Sequence, residues 1–258
     1  MLIGTMNNPG NDVREEIRWM AEMGMEFVDL TLEPPGAASW NVDPDALRKL
    51  IEDRGLKVVG HTAFYLPIAS AIEEIRQAAV AELRRSMSVF SAVGARWMNI
   101  HPDHFAPFHE RPFYIRRNLE SLRDLLPDSE RYGVGMMVEN LPGNFNSAAQ
   151  LSDLLDPMPS VGLHLDFGHA RLMAAENTAP EILARYGHRL RHVHLHDNRG
   201  GHDDLHLPLG AGNLDVAEVV RSLKQCGYDG TITLEVFTPD KHFLAYSAAR
   251  LRALWNGR

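Results

Sequence analysis

Six apolar segments of this chain each close on a side chain that can bind a metal or move a proton. They are His61 in VVGHT, His101 in WMNIHP, Glu139 in GMMVEN, Asp166 in VGLHLDF, His194 in LRHVHLHD and Glu235 in TITLEVF. Carboxylates and imidazoles are costly to bury unpaired. A set of them at the ends of apolar runs is therefore expected to converge on one charged object, and a divalent ion is the most economical one. His169 follows Asp166 by three residues in HLDFGH, and HVHLHDNRGGHDDLHLPLGAGN packs His192, His194, His196, Asp197, His202, Asp203, Asp204 and His206 into one strand and its loop. Alternation along a strand puts His192, His194 and His196 on one face, opposite Val193 and Leu195. Singly these residues have plainer uses: Asp166 as a turn former or helix cap, Glu139 and Glu235 as partners of a loop arginine. Together they read as a site, in which two glutamates from separate strands can bridge metals and exchange protons with a bound substrate.

The elements that must carry these groups are marked by a repeated pattern, an amphipathic helix ending in Gly just before an apolar strand. It occurs in AEMGMEFVDL, EDRGLKVVGH, SAVGARWMNI, ERYGVGMMVE, ARYGHRLRHV and KQCGYDGTITL, so Gly24, Gly55, Gly94, Gly133, Gly187 and Gly227 are expected to end helices in the left-handed conformation that only glycine adopts without strain. A seventh turn, after a helix near residues 146–156, uses Pro157 and Pro159 as stops. Helical spacing shows in Val13, Ile17, Met20 and Ala21, and again in Val216, Val219, Val220 and Leu223. The runs LIGTM, FVDLTL, KVVGH, WMNIH, GMMVE, VGLHLD, RHVHLH and TITLEV are short and nearly continuous in apolar character, as parallel strands covered on both faces should be. Strands alternating with helices in this way, closed by a last helix near residues 241–256, predict a single α/β domain over residues 1–258, a (β/α)8 TIM barrel. An open doubly wound sheet would show a Gly-rich phosphate turn after the first strand, and GTMNNPGND has neither the dinucleotide nor the P-loop fingerprint. In a barrel, chemistry sits at the C-terminal ends of the strands, where the charged residues fall.

Composition narrows the setting. With 45% hydrophobic and 23% charged residues the chain is an ordinary globular one, and no apolar stretch approaches the roughly 18 residues that span a bilayer. Cys226 alone allows no intrachain disulfide, and the start of the chain carries no visible targeting peptide, so a reducing, cytoplasmic setting is expected. A net charge of −8, with only four lysines, argues against a basic surface for nucleic acid.

In its motifs the chain resembles the xylose isomerase-like TIM barrels, which unite sugar and sugar-phosphate isomerases and epimerases with endonuclease IV. The resemblance runs from the second strand to the eighth and rests on EN at 139–140, LDxxH at 165–169, HLHD at 194–197, DLHLPLGAGN at 204–213 and TLE at 233–235. Its isomerase and epimerase members imply one divalent ion (Mn, Mg, Co or Zn) held by Glu139, Asp166, His194 and Glu235. The two glutamates would double as acid and base, and His169 would hydrogen-bond the substrate or a metal-bound water. Its endonuclease members imply up to three zinc ions: His61, His101 and Glu139 for the first, Glu139, Asp166, His194 and Glu235 for the second, and His169, Asp204 and His206 for the third. Two features depart from the nuclease: TLEPPGAASWN lacks the Arg- and Gln-bearing segment inserted into DNA, with Glu33 resembling the isomerase branch, and FGHARLM replaces the small Cys-containing turn.

The expectation is thus a divalent-metal-dependent isomerase or epimerase acting on a sugar, sugar phosphate or related polyol by glutamate-mediated proton transfer. Its alternatives are an endonuclease IV-like zinc phosphodiesterase and a non-catalytic barrel that holds metal and polyol. A small molecule is the expected partner, nucleic acid and membrane are not, and a homodimer is compatible with the class. Arg199 in DNRGG and Trp40 are expected at the substrate, with Tyr65, Phe105, Phe108 and Phe237 in loops on the same face.

Overall fold

The computed structural model describes residues 1–257. Eight parallel strands close into a barrel in chain order, as the alternation of elements predicts: β1 Leu2–Met6, β2 Phe27–Leu32, β3 Lys57–Thr62, β4 Trp97–Ile100, β5 Gly135–Glu139, β6 Gly162–Asp166, β7 Leu190–Leu195 and β8 Thr231–Leu234. Around them lie α1 Val13–Glu22, α2 Pro44–Asp53, α3 Glu73–Ala92, α4 Arg111–Tyr132, α5 Ala148–Leu155, α6 Ala179–Tyr186, α7 Val216–Gln225 and α8 His242–Trp255. The helices start where their first orphan N–H groups find acceptors. Asp12 accepts from Arg14 and Glu15, Asp43 from Asp45 and Ala46 with Pro44 just inside, and Asp215 from Glu218. Among the described residues no helix is long and apolar enough to cross a membrane.

Five of the six expected glycine stops have positive φ: Gly24 at 77°, Gly55 at 68°, Gly94 at 87°, Gly133 at 65° and Gly227 at 74°. Gly187 does not. It has φ −54° and opens a short 3-10 turn, Gly187–Arg189. A Cβ there would lie 3.3 Å from Cys226 Cβ, so close approach to the end of α7, not a left-handed turn, is what glycine provides.

An apolar shell fills the space between strands and helices, with Ile17, Leu30, Leu83, Met98, Leu163 and Leu223 among its fully buried members. Inside the barrel the base is plugged by Phe27, Val59 and Met137, flanked by Leu2 and Trp97. Gly4 leaves room for this plug: a Cβ on it would lie 2.4 Å from the Phe27 carbonyl oxygen and 2.7 Å from the Phe27 ring. At Gly135 the obstacle is only the Trp97 ring, at 2.4 Å. Overpacking of this kind destabilises by about 1–3 kcal/mol. Gly4→Ala, which meets backbone, is expected to lower the melting temperature more than Gly135→Ala, whose obstacle can rotate; equal melting points would refute this account of the plug.

Above the plug the filling changes character. TIM-barrel interiors are ordinarily packed with bulky branched side chains, yet here Asp29, Asn99, His164, His192 and Thr233 are buried at 1% exposure or less. This polar layer supports the strand ends above it.

Candidate metal centre

The strand register brings the expected ligands to one height. Glu139 and Asp166 are the last residues of β5 and β6, His61 and His194 lie one residue before the ends of β3 and β7, and His101 and Glu235 directly follow β4 and β8. Parallel pairing sets Asp166 beside His194 and His194 beside Thr233. His169 sits on the 3-10 turn His169–Arg171, whose start is fixed by the Asp166 carboxylate accepting from the His169 N–H at 2.8 Å. Asp204 and His206 reach in from the loop after β7.

These nine residues form three adjoining sets. His61 Nε2 lies 3.3 Å from His101 Nε2, and His101 Nε2 lies 3.0 Å from Glu139 Oε2. His194 Nδ1 lies 3.0 Å from Glu235 Oε2 and 3.9 Å from Asp166 Oδ2. Asp204 Oδ2 lies 3.1 Å from both His169 Nε2 and His206 Nε2. His169 joins the sets, its Nδ1 being 3.3 Å from Glu139 Oε1 and 3.6 Å from Asp166 Oδ2.

The donors fit a divalent cation. Neighbouring ligand atoms of a tetrahedral ion with bonds of 2.0–2.1 Å are about 3.3 Å apart, and most of these contacts fall near that value. Asp166 Oδ2 and His196 Nε2 are buried there with no hydrogen-bond partner, the state of atoms that need a further partner. The electrostatics agree. Burial raises the Glu139 carboxyl, but His164, His101 and His169 outweigh it and hold it well below the usual carboxylate range. Burial disfavours the charged forms of His194 and His169, yet Glu235 and Asp29 around the first, and Asp166, Asp204 and Glu139 around the second, hold both well above an ordinary histidine. His196, against the same burial penalty, is pushed up to about 9 by Asp166, Glu235 and Asp204. This mutual dependence of carboxylates and imidazoles marks a functional site more often than a structural one.

Asp29 and His164 were not foreseen, and His196, grouped with His192 and His194 by strand alternation, was given no role. Asp29, in the middle of β2, accepts from His194 Nε2 at 2.7 Å and from Thr233 Oγ1 at 2.8 Å. A carboxylate behind a ligating imidazole fixes its ring orientation and tautomer. His164 lies under Glu139, with Nδ1 3.3 Å from Oε2. His196 lies beside Asp166 and Asp204, at 3.4 and 3.5 Å. It also explains a glycine: a Cβ on Gly168 would be 2.0 Å from His196 Nε2. The sequence signals were present, in the lone acid of FVDLTL and in the shared inward face of HVHLH and LHLD.

A cavity of about 950 Å³ opens onto this centre, with His61, His101, Glu139, His169, Asp204, His206 and Glu235 on its floor. Its wall carries Glu16, Glu33, Trp19, Phe64, Phe105 and Phe237. Neither Trp40 nor Arg199, both expected at the substrate, is among the residues that line it. Trp40 packs beneath the Arg85 guanidinium, 5.8 Å from its ring centre. Arg199 is exposed, on a loop whose backbone is held by Asn198 Nδ2 donating to Gly168 O at 2.9 Å and Asn213 Nδ2 to Arg199 O at 3.1 Å. Of the other aromatics expected on this face, Phe105 and Phe237 line the cavity, while Tyr65 and Phe108 do not.

Similarity to known proteins follows the whole barrel. The chain is 25% identical to the L-ribulose 3-epimerase of Methylomonas sp. (strain DH-1) over 248 residues, covering 88% of this chain and 79% of that one. It is 22% identical to the probable endonuclease 4 of Aquifex aeolicus, covering 93% of both chains. The crystal structure of a D-tagatose 3-epimerase-like protein superimposes with a TM-score of 0.88 at 23% identity, over 99% of this chain and 97% of that one. Residues 17–254 match the family described as xylose isomerase-like TIM barrel, and the chain belongs to that family.

Proposed function

We propose that the protein is a divalent-metal-dependent isomerase or epimerase of an unphosphorylated sugar or related polyol, working by proton transfer between Glu139 and Glu235. One observation carries this reading: two glutamates from strands three positions apart on an eight-stranded ring both face one cavity, each with a carboxylate oxygen 3.0 Å from a histidine nitrogen of the candidate metal centre. The epimerase relatives support it. Glu139, Asp166, His194 and Glu235 would hold the ion, which when bound would polarise a sugar carbonyl and acidify the neighbouring C–H. From facing sides of the mouth, one glutamate removes that proton and the other returns a proton to the opposite face, which inverts the carbon. Glu139 is suited to begin as base, since its histidines keep it ionised. His169, on the cavity floor, is placed to hydrogen-bond a substrate hydroxyl.

The wall favours a neutral substrate. Among the described residues lining it, the only lysine or arginine is Lys241, and its Nζ lies 3.3 Å from the centre of the Trp19 ring. A phosphate is ordinarily met by arginine forks or a lysine free to reach it. The aromatic rim suits the apolar face of a sugar.

The second reading, zinc-dependent phosphodiester hydrolysis, rests on the outer donor sets, His61 with His101 and His169 with Asp204 and His206. Solvent deuterium exchange separates the readings. Metal-loaded protein is expected to exchange one C–H next to the carbonyl of a ketose in a panel of free sugars, and to stop when the metal is chelated. Incision of an abasic oligonucleotide without such exchange would establish the hydrolase instead, and saturable sugar binding with no exchange would leave a binding protein.

A further inference from the structure

One layer below the mouth, the barrel interior gathers three imidazoles around a carboxylate. The His164 ring centre lies 4.9 Å from that of His192 and 4.1 Å from that of His194, and one nitrogen from each of the three lies within 4.8 Å of the others. Asp29 Oδ2 is 2.7 Å from His194 Nε2 and 3.2 Å from His192 Nε2. All four side chains are buried at 1% exposure or less. None lines the cavity above.

Hydrogen bonding within the group leaves a remainder. Both ring nitrogens of His164, and Asp29 Oδ1, are buried with no hydrogen-bond partner. His164 Nδ1 lies 3.3 Å from Glu139 Oε2 without a hydrogen bond, and more than about nine in ten buried polar groups are paired, so a buried imidazole with a free nitrogen is a poorer filler than leucine or phenylalanine would be. The donor chemistry and spacing supply a reason for it. The separations of Asp29 Oδ2 from His192 and His194, 3.2 and 2.7 Å, are close to the ligand-to-ligand distance of about 3.3 Å around a four-coordinate ion, and the His164 nitrogen lies within 4.8 Å of the other two. Three imidazoles with one carboxylate suit zinc or cobalt better than magnesium or manganese.

We propose that His164, His192, His194 and Asp29 form a second, interior site for a zinc-like divalent cation, one layer below the mouth site and sharing His194 with it. His194 would serve both layers as an imidazolate, releasing on metal binding the Nε2 proton it otherwise donates to Asp29, with Nδ1 toward Glu235 and Nε2 toward the interior. An ion sealed there exchanges slowly and braces β2, β6 and β7 under the mouth. The evidence for it does not rest on the reaction assigned above, although the two ions would share His194.

Native mass spectrometry of protein produced with zinc tests this. Wild type is expected to keep one zinc per chain through chelator treatment that empties the mouth. His164→Leu, which fills the same space without a donor, is expected to lose that chelator-resistant ion. Asp166→Asn, at the mouth, is expected to retain it. Equal resistant zinc in wild type and H164L, or none in wild type, overturns the proposal. Should H164L not fold, anomalous scattering from zinc-loaded wild-type crystals decides: a peak about 2.0–2.1 Å from His192 Nε2 supports the site, and no peak there refutes it. Loss of sugar exchange with the interior zinc intact would count against the proposed reaction alone.

Discussion

Glu235→Gln lowers turnover by about 10²–10⁴-fold, the range that a positioned acid or base contributes, while the barrel still melts near the wild-type temperature. Glutamine keeps the length of the side chain and an oxygen that can accept from His194 Nδ1, now 3.0 Å away, so the local hydrogen bond survives. It cannot take up and return a proton. Solvent deuterium exchange into the substrate should fall with kcat, and unchanged exchange in E235Q would falsify the role assigned to this carboxylate. Glu139→Gln should be the more damaging of the pair. Glu139 Oε2 accepts from Asn99 Nδ2 at 3.1 Å and lies 3.0 Å from His101 Nε2, and the residue is 1% exposed. Turning an amide N–H₂ toward the Asn99 donor leaves buried groups unsatisfied, at about 1–3 kcal/mol each. E139Q is therefore expected to lose activity and melting temperature together, E235Q activity alone.

The barrel was legible because its signals are local. A helix that ends in glycine before an apolar run needs no distant partner to be recognised, and five of those glycines adopt the left-handed turn. The mouth was legible because polar residues at the ends of apolar strands stand out from their neighbours. Asp29 and His164 were not, since each sits inside an apolar run where a single polar residue is a weak signal on its own. Their significance comes from contacts across the barrel, such as Asp29 with His194, 165 residues apart. Loop direction was equally hidden. Nothing in DNRGG says how its loop is held; hydrogen bonds from Asn198 to Gly168 and from Asn213 to the Arg199 carbonyl do that. Gly187 shows the converse limit, because the same residue type can be required for space as well as for conformation.

That hidden loop structure supports the other large expected effect, since Asp197→Ala should unfasten one side of the mouth. The Asp197 carboxylate is wholly buried and accepts four backbone N–H groups: Asn198 and Leu214 at Oδ1, both at 2.9 Å, and Gly210 and Gly212 at Oδ2, at 2.8 and 3.0 Å. Asp197 and Leu207 also exchange a pair of backbone hydrogen bonds at 2.9 and 2.8 Å. The loop folds so closely on this acid that a Cβ on Gly212 would lie 2.4 Å from Asp197 Oδ1 and 2.2 Å from Asn198 O. Alanine leaves all four N–H groups without their acceptor. At about 1–3 kcal/mol for each one that water cannot reach, the loss is a large part of the roughly 5–15 kcal/mol that stabilises a domain. Asp204 and His206 ride on the same loop, so the donor set they form with His169 should be lost even where the barrel survives. Asp197→Asn should fall between, because its oxygen can serve one pair of N–H groups while its N–H₂ opposes the other. Melting curves and metal content measured together check this ordering. A D197A protein that melts and binds metal like wild type would mean that the loop is held by its backbone bonds alone.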